Sequence, residues 1–130
     1  MAERPLSPHL TVYRWGYTMT LSILHRMTGV ALAFALLGLV AWLVSASLGP
    51  SAFAALVPLL TSAAGKIIAA LAVTALIYHF CNGLRHLAWD LGFGYERVDA
   101  RRSAVLVMVV TLIAAAICIY LIFRPGAGAA

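Results

Sequence analysis

The stretch IIAALAVTALIYHFCNGLRHLAWD, Ile67–Asp90, decides the fold. Its first half is an uncharged, largely apolar run, and its second half carries His79, Arg85, His86 and Asp90 on a background that stays apolar. A helix rises about 1.5 Å per residue, so crossing a hydrocarbon core of ~30 Å takes roughly 20 residues. Ile67–Phe80 with its continuation meets that length, as do Val30–Leu48 and Ala104–Phe123. The pattern predicts an all-α membrane protein with three transmembrane helices, at about 20–48, 62–89 and 103–123, in one domain over residues 1–130. Gly49-Pro50 closes the first helix, and the apolar link to Ala64, which contains Pro58, reads as a short interfacial stretch. The segment DLGFGYERVDARR, Asp90–Arg102, reads as a polar turn with two glycines.

Composition excludes the soluble classes. The chain has 130 residues, 64% hydrophobic and only 10% charged, against about 25% charged in a typical soluble domain. Three helices of this length leave no room for a separate soluble catalytic domain. The formal charge of +5 would suit nucleic acid only if the basic residues formed a patch, and they are spread along the chain. Counting them near helix ends gives an orientation. Arg4, Arg14, Arg26, Arg85, Arg97, Arg101 and Arg102 fall on one side, with only Lys66 and Arg124 on the other. That places the N-terminus and the second connection in the cytoplasm, or in the matrix of a mitochondrion. Cys81 and Cys118 lie on different helices without a CxxC pair, so neither an iron–sulfur cluster nor a structural zinc site is expected. The N-terminal MAERPLSPHLTVYRWGY has neither a signal-peptide pattern nor transit-peptide composition. Pro5 and Pro8 bar a regular helix there, and Tyr13, Trp15 and Tyr17 suit the headgroup level.

Charge inside a bilayer is costly, so ionisable residues there are functional candidates. His25, Arg26, Lys66, His79, Arg85 and His86 make up that set. Ser22, His25, Arg26 and Gly29 stand at i, i+3, i+4 and i+7 and share a face of the first helix; His79, Asn82, Gly83, His86 and Asp90 share a face of the second. His79 lies eleven residues before the polar turn, roughly 16 Å into the membrane at ~1.5 Å per residue, whereas His25 and His86 are expected near the surface. A mid-membrane imidazole needs a hydrogen-bond partner or a metal. Haem iron is one candidate, with Gly83 leaving room for a flat ligand, and a helix–helix hydrogen bond is the other. A bis-histidine haem would take its second axial ligand from another polypeptide. Arg85, His86, Arg26 and His25 would then surround the haem propionates, with Asp90 orienting His86 or pairing with Arg85.

RPLSPHLTVYR (Arg4–Arg14), SILHRMTG (Ser22–Gly29) and the H-x3-G-x-RH-x3-D pattern from His79 to Asp90 together resemble the cytochrome b subunit of succinate dehydrogenase, complex II. The resemblance implies one half of a haem-binding anchor bundle, completed by a second small membrane subunit, which carries a flavoprotein and an iron–sulfur protein. It implies electron transfer from succinate to ubiquinone. His79 would be an axial ligand of haem b, Ser22 and Arg26 would line the quinone site, and His25, Arg26 and His86 would lie near the propionates. The N-terminal motif is similar to mitochondrial and alphaproteobacterial members. With no transit peptide, the expected location is a bacterial inner membrane, the mitochondrial inner membrane being the alternative. Two other readings remain open on the residues alone: a small carrier with a His79/His86/Asp90 proton relay, and a cofactor-free assembly anchor.

Overall fold

Residues 15–125 are described by the structure, a computed structural model. The chain forms α1 (Tyr17–Ser47), α2 (Pro50–Thr61), α3 (Ala63–Asp90) and α4 (Arg97–Phe123). Three of these are long and apolar enough to cross a membrane. At about 1.5 Å per residue, the 28 residues of α3 reach ~42 Å, beyond the hydrocarbon core. The N-terminal motif up to Arg14, with His9, Pro5, Pro8 and Tyr13, lies outside the described residues.

Two boundaries differ from the sequence expectation. The link after Pro50 is itself a helix, α2, too short to span. Proline at a first helical position already has the φ a helix wants and lacks a hydrogen that would have gone unpaired anyway; Pro58 interrupts only one bond further on. The α2–α3 corner is sharp. Ser62 caps α3 by accepting from the Gly65 N–H at 3.0 Å, and a Cβ on Gly65 would run into the Leu59 and Leu60 carbonyls. The second difference is α4, which starts at Arg97 rather than at residue 103. Asp99 in its first turn meets the positive end of the helix dipole, and Arg and Ala are strong helix formers. The polar turn therefore shrinks to Leu91–Glu96. Gly92, at φ 88°, ends α3 in the left-handed region. There the Phe93 N–H reaches the Ala88 carbonyl and the Gly92 N–H the Trp89 carbonyl, the Schellman pattern.

α3 packs against both α1 and α4. The start of α4 returns to the start of α1, where Arg101 lies 5.8 Å over the Tyr17 ring. The buried centre is small, made of Leu21, Tyr78, Ala104 and Val107 with Cys81 beside it. Ala70, Ala104 and Ala115 are buried in the seams, as expected where packing between membrane helices depends on close backbone approach. Large side chains instead point outward, Phe34 at 70% and Leu112 at 64% exposure. In a bilayer those surfaces face lipid or other helices.

Polar bonds tie the three spans together. The Tyr78 hydroxyl donates to the Leu21 carbonyl at 2.6 Å, joining α3 to α1. Arg85, only 6% exposed, donates to Ser103 Oγ and the Ala100 carbonyl, each at 3.0 Å, and to Asn82 Oδ1 at 3.3 Å. Its guanidinium also lies 4.0 Å from the centre of the Trp89 ring. Replacing Arg85 with alanine is expected to cost about 2–3 kcal/mol, because buried acceptors lose a charged donor. Arg85→Lys should recover little of it, since an ammonium cannot serve three acceptors in that fixed fork. Thermal denaturation of the detergent-solubilised protein checks both; a lysine variant as stable as the parent would contradict the bonding pattern.

Candidate functional site

Three imidazoles meet between α1 and α3. The His25 and His79 rings are stacked, centroids 3.9 Å apart and 10° from parallel. His86 lies 5.2 Å from His25 and meets Trp89 edge-on. His25 was expected near the surface, yet it sits at the depth of His79. Because α1 begins at Tyr17, His25 is two turns inside, roughly 12 Å along the axis at ~1.5 Å per residue.

The surroundings of His79 decide its chemistry. Its Nδ1 is 3.1 Å from the His25 carbonyl and 3.3 Å from Thr28 Oγ1. The Thr28 hydroxyl has one hydrogen, and that hydrogen is directed to the Leu24 and His25 carbonyls at 2.8 and 2.9 Å. Both neighbours of Nδ1 are therefore acceptors, and the network assigns the ring proton to Nδ1. Nε2 keeps its lone pair, has no hydrogen-bond partner among the described residues, and is not sealed inside them. A histidine with one nitrogen held by a carbonyl and the other free has the arrangement of a metal ligand.

Glycine makes the close approach possible. A Cβ on Gly29 would stand 3.0 Å from His79 Cε1. Gly83 differs from expectation, because the space above it is taken by His25, whose Cε1 would be 3.7 Å from an added Cβ. His25 Nδ1 is itself buried without a partner among the described residues. Such a nitrogen is costly to leave unpaired.

The other expected residues separate. Ser22 is half-buried and Arg26 exposed, one turn apart on α1. Arg85 is not brought to the cluster. Successive helical residues point about 100° apart, so with His86 facing α1, Arg85 faces α4 and is engaged there. Asp90 is exposed and forms neither the His86 hydrogen bond nor the Arg85 ion pair; among the described residues the one ion pair is Arg102 with Asp99 at 3.8 Å. No group of three or more His, Cys, Asp or Glu among the described residues could hold a metal by itself. Cys81 and Cys118 are unbonded thiols. Thr28 and Tyr78 were missed by sequence reasoning. Thr28 had a signal, a hydroxyl three residues after His25; Tyr78 had none beyond its place beside His79.

The family model described as "Succinate dehydrogenase/Fumarate reductase transmembrane subunit" matches residues 1–118. The chain belongs to this family. Among its relatives, the succinate dehydrogenase cytochrome b556 subunit of Rickettsia conorii is 45% identical over 94 residues, 72% of this chain and 73% of the relative. That of Paracoccus denitrificans is 38% identical over 121 residues, 93% of each. The mitochondrial cytochrome b560 subunit of Sus scrofa is 41% identical over 119 residues, 86% of this chain and 68% of the relative. As a member, the anchor subunit is the membrane part of succinate dehydrogenase and an electron-transport protein, not an enzyme on its own. A cytochrome carries haem, and the unshared Nε2 of His79 fits that group.

The two glycines provide a check on the geometry. Both gain helix propensity as alanine, but only Gly29→Ala pushes into the His79 ring. Gly83→Ala is expected to be neutral or mildly stabilising, and Gly29→Ala less stable than Gly83→Ala by about 1–3 kcal/mol. Equal melting temperatures for the two variants would contradict the packing.

Proposed function

We propose that this chain helps to bind haem b and ubiquinone and passes electrons from succinate to the quinone pool. The observation that carries the reading is the single free nitrogen of His79, held in the ligating tautomer between α1 and α3. In this reading His79 would hold the haem iron from this chain, and a second small anchor subunit would supply the other ligand. When bound, haem supplies a site that takes up and gives back one electron at a time. His25, Arg26 and His86 would meet the propionates, carboxylates that suit an Arg/His edge. Arg85 has a different task, holding α4 to α3.

Ser22 and Arg26 form the quinone site of this reading. Reducing a quinone adds two electrons and two protons, and negative charge builds on its oxygens before the protons arrive. The Arg26 guanidinium is a permanent charge with several donors, and it stabilises that oxygen. The Ser22 hydroxyl donates to the quinone and orients the ring. In this reading the protons come from the aqueous phase beyond this end of α1. The isoprenoid tail would lie along the apolar flank of α1.

The flavoprotein and iron–sulfur subunits would dock at the end where α1 and α4 begin. The arginine count favours that end lying on the cytoplasmic side of a bacterial inner membrane, or on the matrix side of the mitochondrial one.

His79→Ala is expected to abolish or severely reduce the haem b band in the reduced-minus-oxidised spectrum of the complex. Unchanged haem content would reject the ligand assignment. Ser22→Ala and Arg26→Ala should each lower quinone reductase activity on the order of tenfold to a hundredfold, the worth of one hydrogen bond involving a charged group. Succinate oxidation with an artificial dye acceptor should survive in both. Equal loss of the two activities would contradict the quinone-site assignment.

A further inference from the structure

We infer that Thr28 is a positioning residue for His79, its hydroxyl acting as a second acceptor beside the His25 carbonyl that tunes the electron-donating strength of the imidazole. The inference rests on the reading of His79 as a haem ligand and adds to it a second residue that never touches the haem.

One proton is decisive. A threonine within an apolar helix commonly returns its hydroxyl hydrogen to a carbonyl one turn back, and Thr28 does so to Leu24 and His25. With the hydrogen spent inside α1, only oxygen lone pairs remain to face α3. His79 Nδ1 comes within 3.3 Å of that oxygen and 3.1 Å of the His25 carbonyl. An unprotonated Nδ1 would set its lone pair against two other acceptors in a low-dielectric seam. Protonated, it donates to both. The carbonyl and the hydroxyl together thus hold the side chain in a single tautomer, with the proton on Nδ1 and the lone pair on Nε2.

Position reinforces the assignment. Thr28 precedes Gly29, whose missing Cβ lets the imidazole lie against α1. Thr28 and the His25 carbonyl therefore grip one edge of the ring where Gly29 admits it. Serine would retain the oxygen; valine, nearly the same shape, would put a methyl group against a polar N–H.

Partners that accept from Nδ1–H make an imidazole a stronger donor to iron and favour the oxidised metal. Replacing one acceptor by a methyl group weakens that donation. The test is a haem redox titration of the assembled complex carrying Thr28→Val, with Thr28→Ser beside it. The valine variant is expected to retain haem with its midpoint potential shifted upward, and the serine variant to keep the parental potential. An unmoved or lowered potential in the haem-containing valine complex would overturn the inference, as would an equal shift in the serine variant. If valine prevents haem retention, the serine complex still decides: it must hold haem at the parental potential, and loss of haem there as well also overturns it. Failure of the ligand reading itself is separate, since it shows as haem retained by His79→Ala.

Discussion

A buried imidazole in a membrane has to find a partner for each nitrogen, and this constraint organises the structure. One nitrogen of His79 is answered from within the chain by the His25 carbonyl. The other is not. Around that asymmetry the remaining features fall into place: Gly29 admits the ring, the Thr28 hydroxyl stands beside the same nitrogen, and His25 stacks on its face. The Tyr78 hydroxyl, from the residue next to His79, bonds back to α1 and keeps the two helices in register.

The second polar centre does different work. Arg85 is the one buried arginine among the described residues, and its bonds run to α4 and to Asn82 on its own helix. Its neighbour His86 turns to α1. Two adjacent residues of one motif therefore serve two seams, because a helix rotates about 100° between them. α3 is the keel of the unit: one face presents histidine to α1, the other presents arginine to α4. The anchor subunit stays apolar on most of its outer surface, as a chain embedded in lipid and among partner subunits must.

Much of this was legible in the amino-acid sequence. Three uncharged runs of spanning length mark the membrane helices, and helical spacing alone puts Ser22 with Arg26 and His79 with His86. What the pattern could not convey was rotation and depth. His25 looked superficial because the helix start was placed at Thr20; three more residues of α1 put it beside His79. Arg85 looked like a companion of His86 through sequence adjacency, which on a helix means divergence. The α2 helix was hidden by its prolines, one at a position helices welcome. Thr28 was overlooked because threonines in apolar helices usually satisfy themselves locally; its second role needed the facing helix to be seen.

Everything turns on where His79 Nε2 points in the assembled enzyme. An electron cryo-microscopy map of the whole complex, sharp enough to orient imidazoles, measures that directly. The account expects Nε2 at bonding distance from haem iron, Nδ1 still against the His25 carbonyl, and the opposite axial position filled by a neighbouring chain. A map with His79 turned to lipid, or with haem held by other residues, would contradict it.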